Sequence, residues 1–124
     1  MSMLGHVSFG VRNLHRAAKF YDIVLKPLGY ARLWSNDQGV GFGQPGKGDR
    51  LALFPRNDSS PPGPGFHLAF SAPHRAAVDA FYIAAVSAGA EDSGPPGVRP
   101  NYSPTYYAAF VIDPDGYKIE AVHQ

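Results

Sequence analysis

The sequence predicts an α+β fold built from two tandem β-α-β-β-β units, and three observations carry that prediction. The first is an internal repeat: residues 6–21 read HVSFGVRNLHRAAKFY and residues 67–82 read HLAFSAPHRAAVDAFY. Self-similarity at a period of about sixty residues marks a duplicated structural unit. The second is that each copy opens with two-residue alternation and passes, after a short break, into helical spacing. The third is RNDSSPPGPG at 56–65, whose three prolines and two glycines separate the copies and exclude regular structure. The chain of 124 residues thus reads as one domain (1–124), with a first unit over 3–55, a linker over 56–65 and a second unit over 66–124. A unit of roughly sixty residues is marginal alone, so the two are expected to share one sheet system.

Composition removes several classes of function. The net charge is +1 with Lys and Arg scattered, so no basic stripe calls for nucleic acid or a membrane surface. There is no cysteine, which excludes a disulfide framework and thiolate chemistry and fits a cytoplasmic location. No stretch approaches the roughly eighteen apolar residues of a membrane span, and no signal peptide is read ahead of Met3.

The elements follow in order. Gly5, Val7, Phe9 and Val11 share one face of a strand over 3–11, with Leu4, His6, Ser8 and Gly10 on the other. Leu14, Ala17, Ala18, Tyr21, Val24, Leu25 and Leu28 then recur at helical spacing, with Asn13 to cap the helix and Gly29 to stop it. Short strands are expected near 30–34, 38–44 and 50–54. In the second copy Phe66, Leu68 and Phe70 oppose His67, Ala69 and Ser71 across a strand. Ala77, Val78, Phe81, Ala84, Ala85 and Ala88 form the helical stripe that Gly89 ends. SGPPGVRPNYSPT (93–105) reads as a loop, YYAAFVID (106–113) as a strand, Asp113–Gly116 as a turn and YKIEAVHQ (117–124) as the closing strand.

Two histidines stand out because they occupy matching positions. His6 and His67 each face away from the bulky residues of their strands, on faces continued by small residues (Ser8 and Gly10; Ala69 and Ser71). In the closing strand Glu120 shares a face with Lys118 and Val122. Two imidazoles and a carboxylate converging on a concave sheet would make a facial metal triad with open positions, suited to Fe, Mn, Co, Ni or Zn as divalent ions. The plain alternatives are a hydrogen-bonded structural histidine and a surface carboxylate paired with Lys118. His15 and His74 read as surface residues at helix starts, and His123 as a frayed end.

On these residues the chain resembles the vicinal oxygen chelate superfamily, the glyoxalase/bleomycin resistance/extradiol dioxygenase group. The matching stretches are HVSFGVRNLHRAAKFYDIVLKPLGY, FHLAFSAPHRAAVDAFY and YYAAFVIDPDGYKIEAV, with D-P-D-G-x-x-x-E the most specific piece. The resemblance implies two βαβββ modules curled into a cup around a divalent metal, with His6, His67 and Glu120 as its ligands. It also implies a small-molecule substrate chelated through two adjacent oxygens, and assembly of modules within a chain or across a dimer. A homodimer is expected, since open sheets leave edges to cover. Members with a fourth ligand carry it where repeat symmetry places Ala52 here, and the acid–base tyrosine of extradiol dioxygenases falls at Phe110. Tyr107 and Tyr102 are the candidate acid–base residues, Arg99 the candidate clamp for an anionic group, and Trp34 with Phe42 a candidate apolar wall. The expected function is a metal-dependent glyoxalase-like lyase, isomerase or dioxygenase. The alternatives are a sequestration protein of the bleomycin-resistance type, which binds without chemistry, and a metal-free relative.

Overall fold

The alternating stretch of the first copy forms β1 (Val7–Val11) and its helical stripe forms α1 (Leu14–Leu25). Asn13 caps α1, its side chain accepting from the Arg16 amide at 3.0 Å. The chain leaves α1 through a 3-10 turn over Lys26–Leu28 that ends on Gly29 at a φ of 90°, a left-handed conformation that glycine adopts without a Cβ penalty. β2 (Ala31–Asn36), β3 (Gly39–Gly43) and β4 (Asp49–Pro55) complete the first half. The second half repeats the order as β5 (Leu68–Ser71), α2 (Arg75–Ser87), β6 (Glu91–Val98), β7 (Tyr107–Ile112) and β8 (Lys118–His123). The computed structural model describes residues 3–124.

The strands form two four-stranded mixed sheets, ordered β1-β4-β3-β2 and β5-β8-β7-β6, curled and open. Each has one parallel pair, β1 with β4 and β5 with β8. The expectation of a single shared sheet system is therefore corrected: the halves meet through packing rather than through a common ladder. Val40, Phe42, Leu51 and Leu53 pack with Ala17, Tyr21 and Val24 of α1, while Ala109, Val111, Ile119 and Ala121 pack with Val78, Phe81 and Ala85 of α2. Both sets belong to one continuous core, with α1 against α2 at its centre.

Two further expectations are corrected. The segment read as a loop from residue 93 begins inside β6, which runs through Gly94-Pro95-Pro96-Gly97. β6 is an edge strand and its register against β7 slips between Asp92 and Gly94 and again between Gly94 and Gly97. An edge with bulges tolerates proline because the missing donor leaves no ladder position empty. His123, expected to fray, ends β8 and brings Nδ1 to 3.0 Å from the Ala72 carbonyl. Among the described residues, no helix is long and apolar enough to cross a membrane.

A buried polar clasp ties the halves at one end. Tyr21 of α1 donates its hydroxyl to Asp113 Oδ2 at 2.5 Å, and Asp113 Oδ1 accepts the amides of Asp115 and Tyr117 at 2.9 Å each. Arg12 reaches Asp115 Oδ1 at 3.1 Å, and Tyr117 donates to the Gly10 carbonyl at 2.7 Å while stacking on Phe9 with ring centroids 4.1 Å apart. Burial is the largest influence on Asp113 and raises its carboxyl; the hydrogen bond from Tyr21 and those from the Tyr117 and Asp115 amides oppose the rise.

Tyr21→Phe removes the clasp's donor and leaves a buried carboxylate oxygen unsatisfied, so urea unfolding at neutral pH is expected to lose about 1–3 kcal/mol. A loss within error would mean that the hydroxyl carries no weight. The raised carboxyl of Asp113 also has a sign: the folded state holds its proton more tightly, so this contribution is complete below about pH 4 and is lost as pH rises through the raised value. Thermal melts across pH 3–7 should show that falling slope in the native protein and not in Asp113→Asn.

Candidate functional site

The site is built on β8 by strand alternation. Ile119 and Ala121 turn to α2, so Glu120 between them turns to the opposite, concave face, beside Ala69 of β5 and Phe110 of β7. Glu120 is 0% exposed there. Its Oε2 accepts the Tyr106 hydroxyl at 2.5 Å. Its Oε1 lies 3.0 Å from His67 Nε2, an ion pair when the imidazole is protonated, and among the described residues this buried oxygen accepts no hydrogen bond. Burial, and after it the hydrogen bond and charge of Glu120, push the Tyr106 phenol up to about 12. The proton therefore stays on Tyr106 Oη at neutral pH, and this bond fixes the carboxylate's orientation.

A carboxylate oxygen that is buried without a donor costs about 1–3 kcal/mol, more when charged. An imidazole nitrogen beside it at hydrogen-bond distance, but not in a hydrogen bond, is a donor pair suited to a shared divalent cation. The residues present thus fit the kind of metal the resemblance implies, as part of a ligand set.

A cavity of about 290 Å³ lies beside His67, lined by that residue with Ser93, Arg99, Asn101, Tyr102 and Lys118, and completed by Gly94 and Phe110; Glu120 is buried behind His67 and does not line it. Phe110 is its floor: His67 meets the ring edge-on at 5.9 Å, the Arg99 guanidinium sits 5.4 Å from its centroid and the Lys118 ammonium 5.2 Å. Arg99 is aimed by donating to the carbonyls of Gly97 at 3.0 Å and Pro95 at 2.7 Å. A Cβ on Gly94 or Gly97 would stand 3.1 or 3.2 Å from that guanidinium, so the glycines of β6 make the space it occupies. Neither Arg99 nor Lys118 is paired with a carboxylate among the described residues. Two uncompensated cations over one wall favour a ligand with negative charge.

Of the residues singled out from sequence, the structure brings His67, Glu120, Arg99 and Tyr102 to one place. His6 is exposed and lines a different, larger cavity of about 620 Å³, and among the described residues no cluster of three His, Cys, Asp or Glu side chains can hold a metal ion. Phe42 is a core residue, 1% exposed, that borders the His6 cavity. Trp34 lies over Gly41 of the first sheet, with Phe54 at 6.4 Å, and does not line the cavity beside His67. Tyr107 does not point inward: its hydroxyl donates to Asp79 of α2 at 2.6 Å and Arg75 stacks on its ring at 4.9 Å. The reason is parity, since Tyr107 alternates with Ala109 and Val111 onto the helix side. Tyr106 and Lys118 are the residues that sequence reasoning missed. The available signal was that Tyr106 has the parity of Phe110, which pairs with Glu120.

The family model described as Glyoxalase/Bleomycin resistance protein/Dioxygenase superfamily matches residues 3–121. A glyoxalase/bleomycin resistance protein from Albidiferax ferrireducens T118 is 31% identical, covers 99% of each chain and superposes with a TM-score of 0.84. A glyoxalase-related enzyme from Fulvimarina pelagi is 21% identical over 100% of this chain and 89% of its own, with a TM-score of 0.77. A bleomycin resistance determinant encoded on transposon Tn5 is 16% identical over 99% and 98% of the two chains, with a TM-score of 0.67. The last two likenesses are likenesses of fold. No curated protein matches the chain.

The Tyr106–Glu120 bond has a direct readout. Titration of the tyrosine Cζ signals by NMR should find one phenol ionising near pH 12, assigned as Tyr106 by its loss in Tyr106→Phe. In Glu120→Gln that phenol should move down toward the ordinary value. A Tyr106 phenol that titrates with the exposed tyrosines in the native protein would show that the bond does not form.

Proposed function

The chain belongs to the Glyoxalase/Bleomycin resistance protein/Dioxygenase superfamily, and on that premise we propose that it is a metal-dependent enzyme for a small anionic substrate bound through two adjacent oxygens. One observation carries the reading: the buried, donor-less Glu120 Oε1 with His67 Nε2 at 3.0 Å. A divalent cation would take up that oxygen and the imidazole together. His67 and Glu120 would hold the cation, and His6 of a second copy would complete the set in a homodimer, since one chain does not gather all three. When bound, a divalent cation supplies Lewis-acid stabilisation to a developing enediolate, catecholate or alkoxide. Iron, manganese, nickel, cobalt and zinc all suit two imidazoles and a carboxylate.

The chain's own residues then have distinct tasks. Tyr106 keeps its proton and holds Glu120 in one orientation. Arg99 and Lys118 draw in and orient the anionic end of the substrate, and Asn101, Tyr102 and Ser93 offer hydrogen bonds around it. A second reading is sequestration without turnover, and it has its own support: one chain offers two metal donors rather than three.

Metal analysis of protein purified without chelators is expected to find about one divalent ion per chain, lost in Glu120→Gln and His67→Ala. His6→Ala should lose it as well, and mixing unfolded His6→Ala and Glu120→Gln chains before refolding should restore part of it, because a mixed dimer keeps one complete site. Absence of metal after reconstitution with all five ions would end the enzyme reading and leave sequestration. Metal retained in His6→Ala would remove the second copy from the site. Arg99→Ala is expected to weaken an anionic substrate or inhibitor by about tenfold or more, with KM rising more than kcat falls.

A further inference from the structure

The two halves repeat each other, and one break in that repetition leaves a cavity. Val7 pairs with Leu51, and its counterpart Leu68 pairs with Ile119, so Leu51 corresponds to Ile119 and Asp49 to Tyr117. Likewise Phe9 corresponds to Phe70 and Gly10 to Ser71. At one end of the molecule Tyr117 stacks on Phe9 at 4.1 Å and closes the seam. At the other end Asp49 stands in the equivalent place, and Phe70 makes no aromatic contact among the described residues. The carbonyl of Ser71 is still satisfied, by the Tyr30 hydroxyl at 2.8 Å, as that of Gly10 is by Tyr117. What has no counterpart is the ring.

The space is the 620 Å³ cavity, within the roughly 300–1,000 Å³ of small-molecule sites. Leu25, Leu51, Leu68 and Phe70 give it an apolar floor, and Lys47 and Arg50 stand at its rim. Neither cation has a carboxylate partner among the described residues, and Arg50 is turned toward the N-terminal segment by donating from Nη1 to the carbonyls of Leu4 at 3.2 Å and Gly5 at 2.8 Å. Among the described residues the Asp49 side chain has no ion pair, and it does not line the cavity. None of its lining residues is shared with the cavity beside His67.

We propose that this cavity is a second binding site, for a small aryl carboxylate whose ring lies on Phe70 as Tyr117 lies on Phe9 and whose carboxylate meets Lys47 and Arg50. An apolar floor under two cations selects that class over a neutral aromatic, which leaves the cations unused, and over a bare anion, which leaves the floor wet. His6, proposed above as a metal ligand in a dimer, also borders this cavity, but the ring and the carboxylate would be held by Phe70, Lys47 and Arg50, none of which is a proposed metal ligand.

The test uses phenylacetate and 3-phenylpropionate as probes, with 2-phenylethanol as the neutral control, followed by amide NMR on the full chain. The acids are expected to shift the amides of 43–48 and 68–71, with Kd about 1 mM, as the size of the probes allows. The alcohol should bind about tenfold more weakly or worse. Asp49→Tyr should plug the cavity with the missing ring, abolish those shifts and raise the Tm. Lys47→Glu, an exposed change that leaves the core alone, should weaken the acids by about tenfold or more. Three results each overturn the proposal: no shift at saturating probe, shifts confined to 93–102 and 118 around His67, or an alcohol that binds as tightly as the acids. Undiminished binding in a folded Asp49→Tyr overturns it as well.

Discussion

The parallel pairing of β5 with β8 is the constraint on which the rest of the second sheet depends. It sets Ala69 beside Glu120 and Leu68 beside Ile119, so Leu68 and Ile119 face α2 together while Ala69 and Glu120 face the cup together. In a ladder with a side-chain period of two, a slip by one residue would drive Glu120 into the helix-facing core and expose Ile119. Ile119, Ala121, Val111 and Ala109 are all fully buried on the α2 side, so the apolar face resists that slip. The position of the carboxylate is thus a by-product of core packing, and His67, one residue before β5, is carried to it by the same register.

The halves share a plan and differ in what fills it. One seam is closed by Tyr21, Asp113, Tyr117 and Phe9, a set of hydrogen bonds and a stacked ring pair that leaves no space. The opposite seam has Asp49 where Tyr117 would be, and stays open. Duplication sets the backbone of both seams, while the side chains placed on it decide which seam is closed and which stays open.

How far the sequence could be read follows from what each signal depends on. The helices were legible because α1 and α2 carry their stripes and terminal glycines in local sequence, and Asn13 does cap α1; the cap of α2, His74, was read only as a surface residue. The facing of His67 and Glu120 was legible because alternation needs only parity within one strand. β6 was hidden because Pro95 and Pro96 signal a loop unless the strand is known to be an edge. Tyr107 was chosen over Tyr106 because the inward face of β7 is set by its pairing with β8, which is not a local property. The separation of His6 from His67 and Glu120 lay beyond sequence for a related reason: repeat symmetry relates the two strands but does not say whether their histidines meet in one chain.

Glu120 can be weighed against its own counterpart in the first half. Ala52 occupies the matching position on β4 and is 3% exposed, paired with Ser8 of β1 as Glu120 is with Ala69. The same fold therefore seats a methyl group at this point with nothing unsatisfied. Replacing it with a carboxylate that is 0% exposed adds desolvation, and Tyr106 answers for only one of the two oxygens. If stability alone governed the position, an alanine or a second donor for Oε1 would serve better. The remaining oxygen is turned to the half-exposed imidazole of His67, which lines the cationic cavity. On the function proposed above, a cation held by the two would take up that oxygen, so the proposal accounts for a carboxylate that packing alone does not call for.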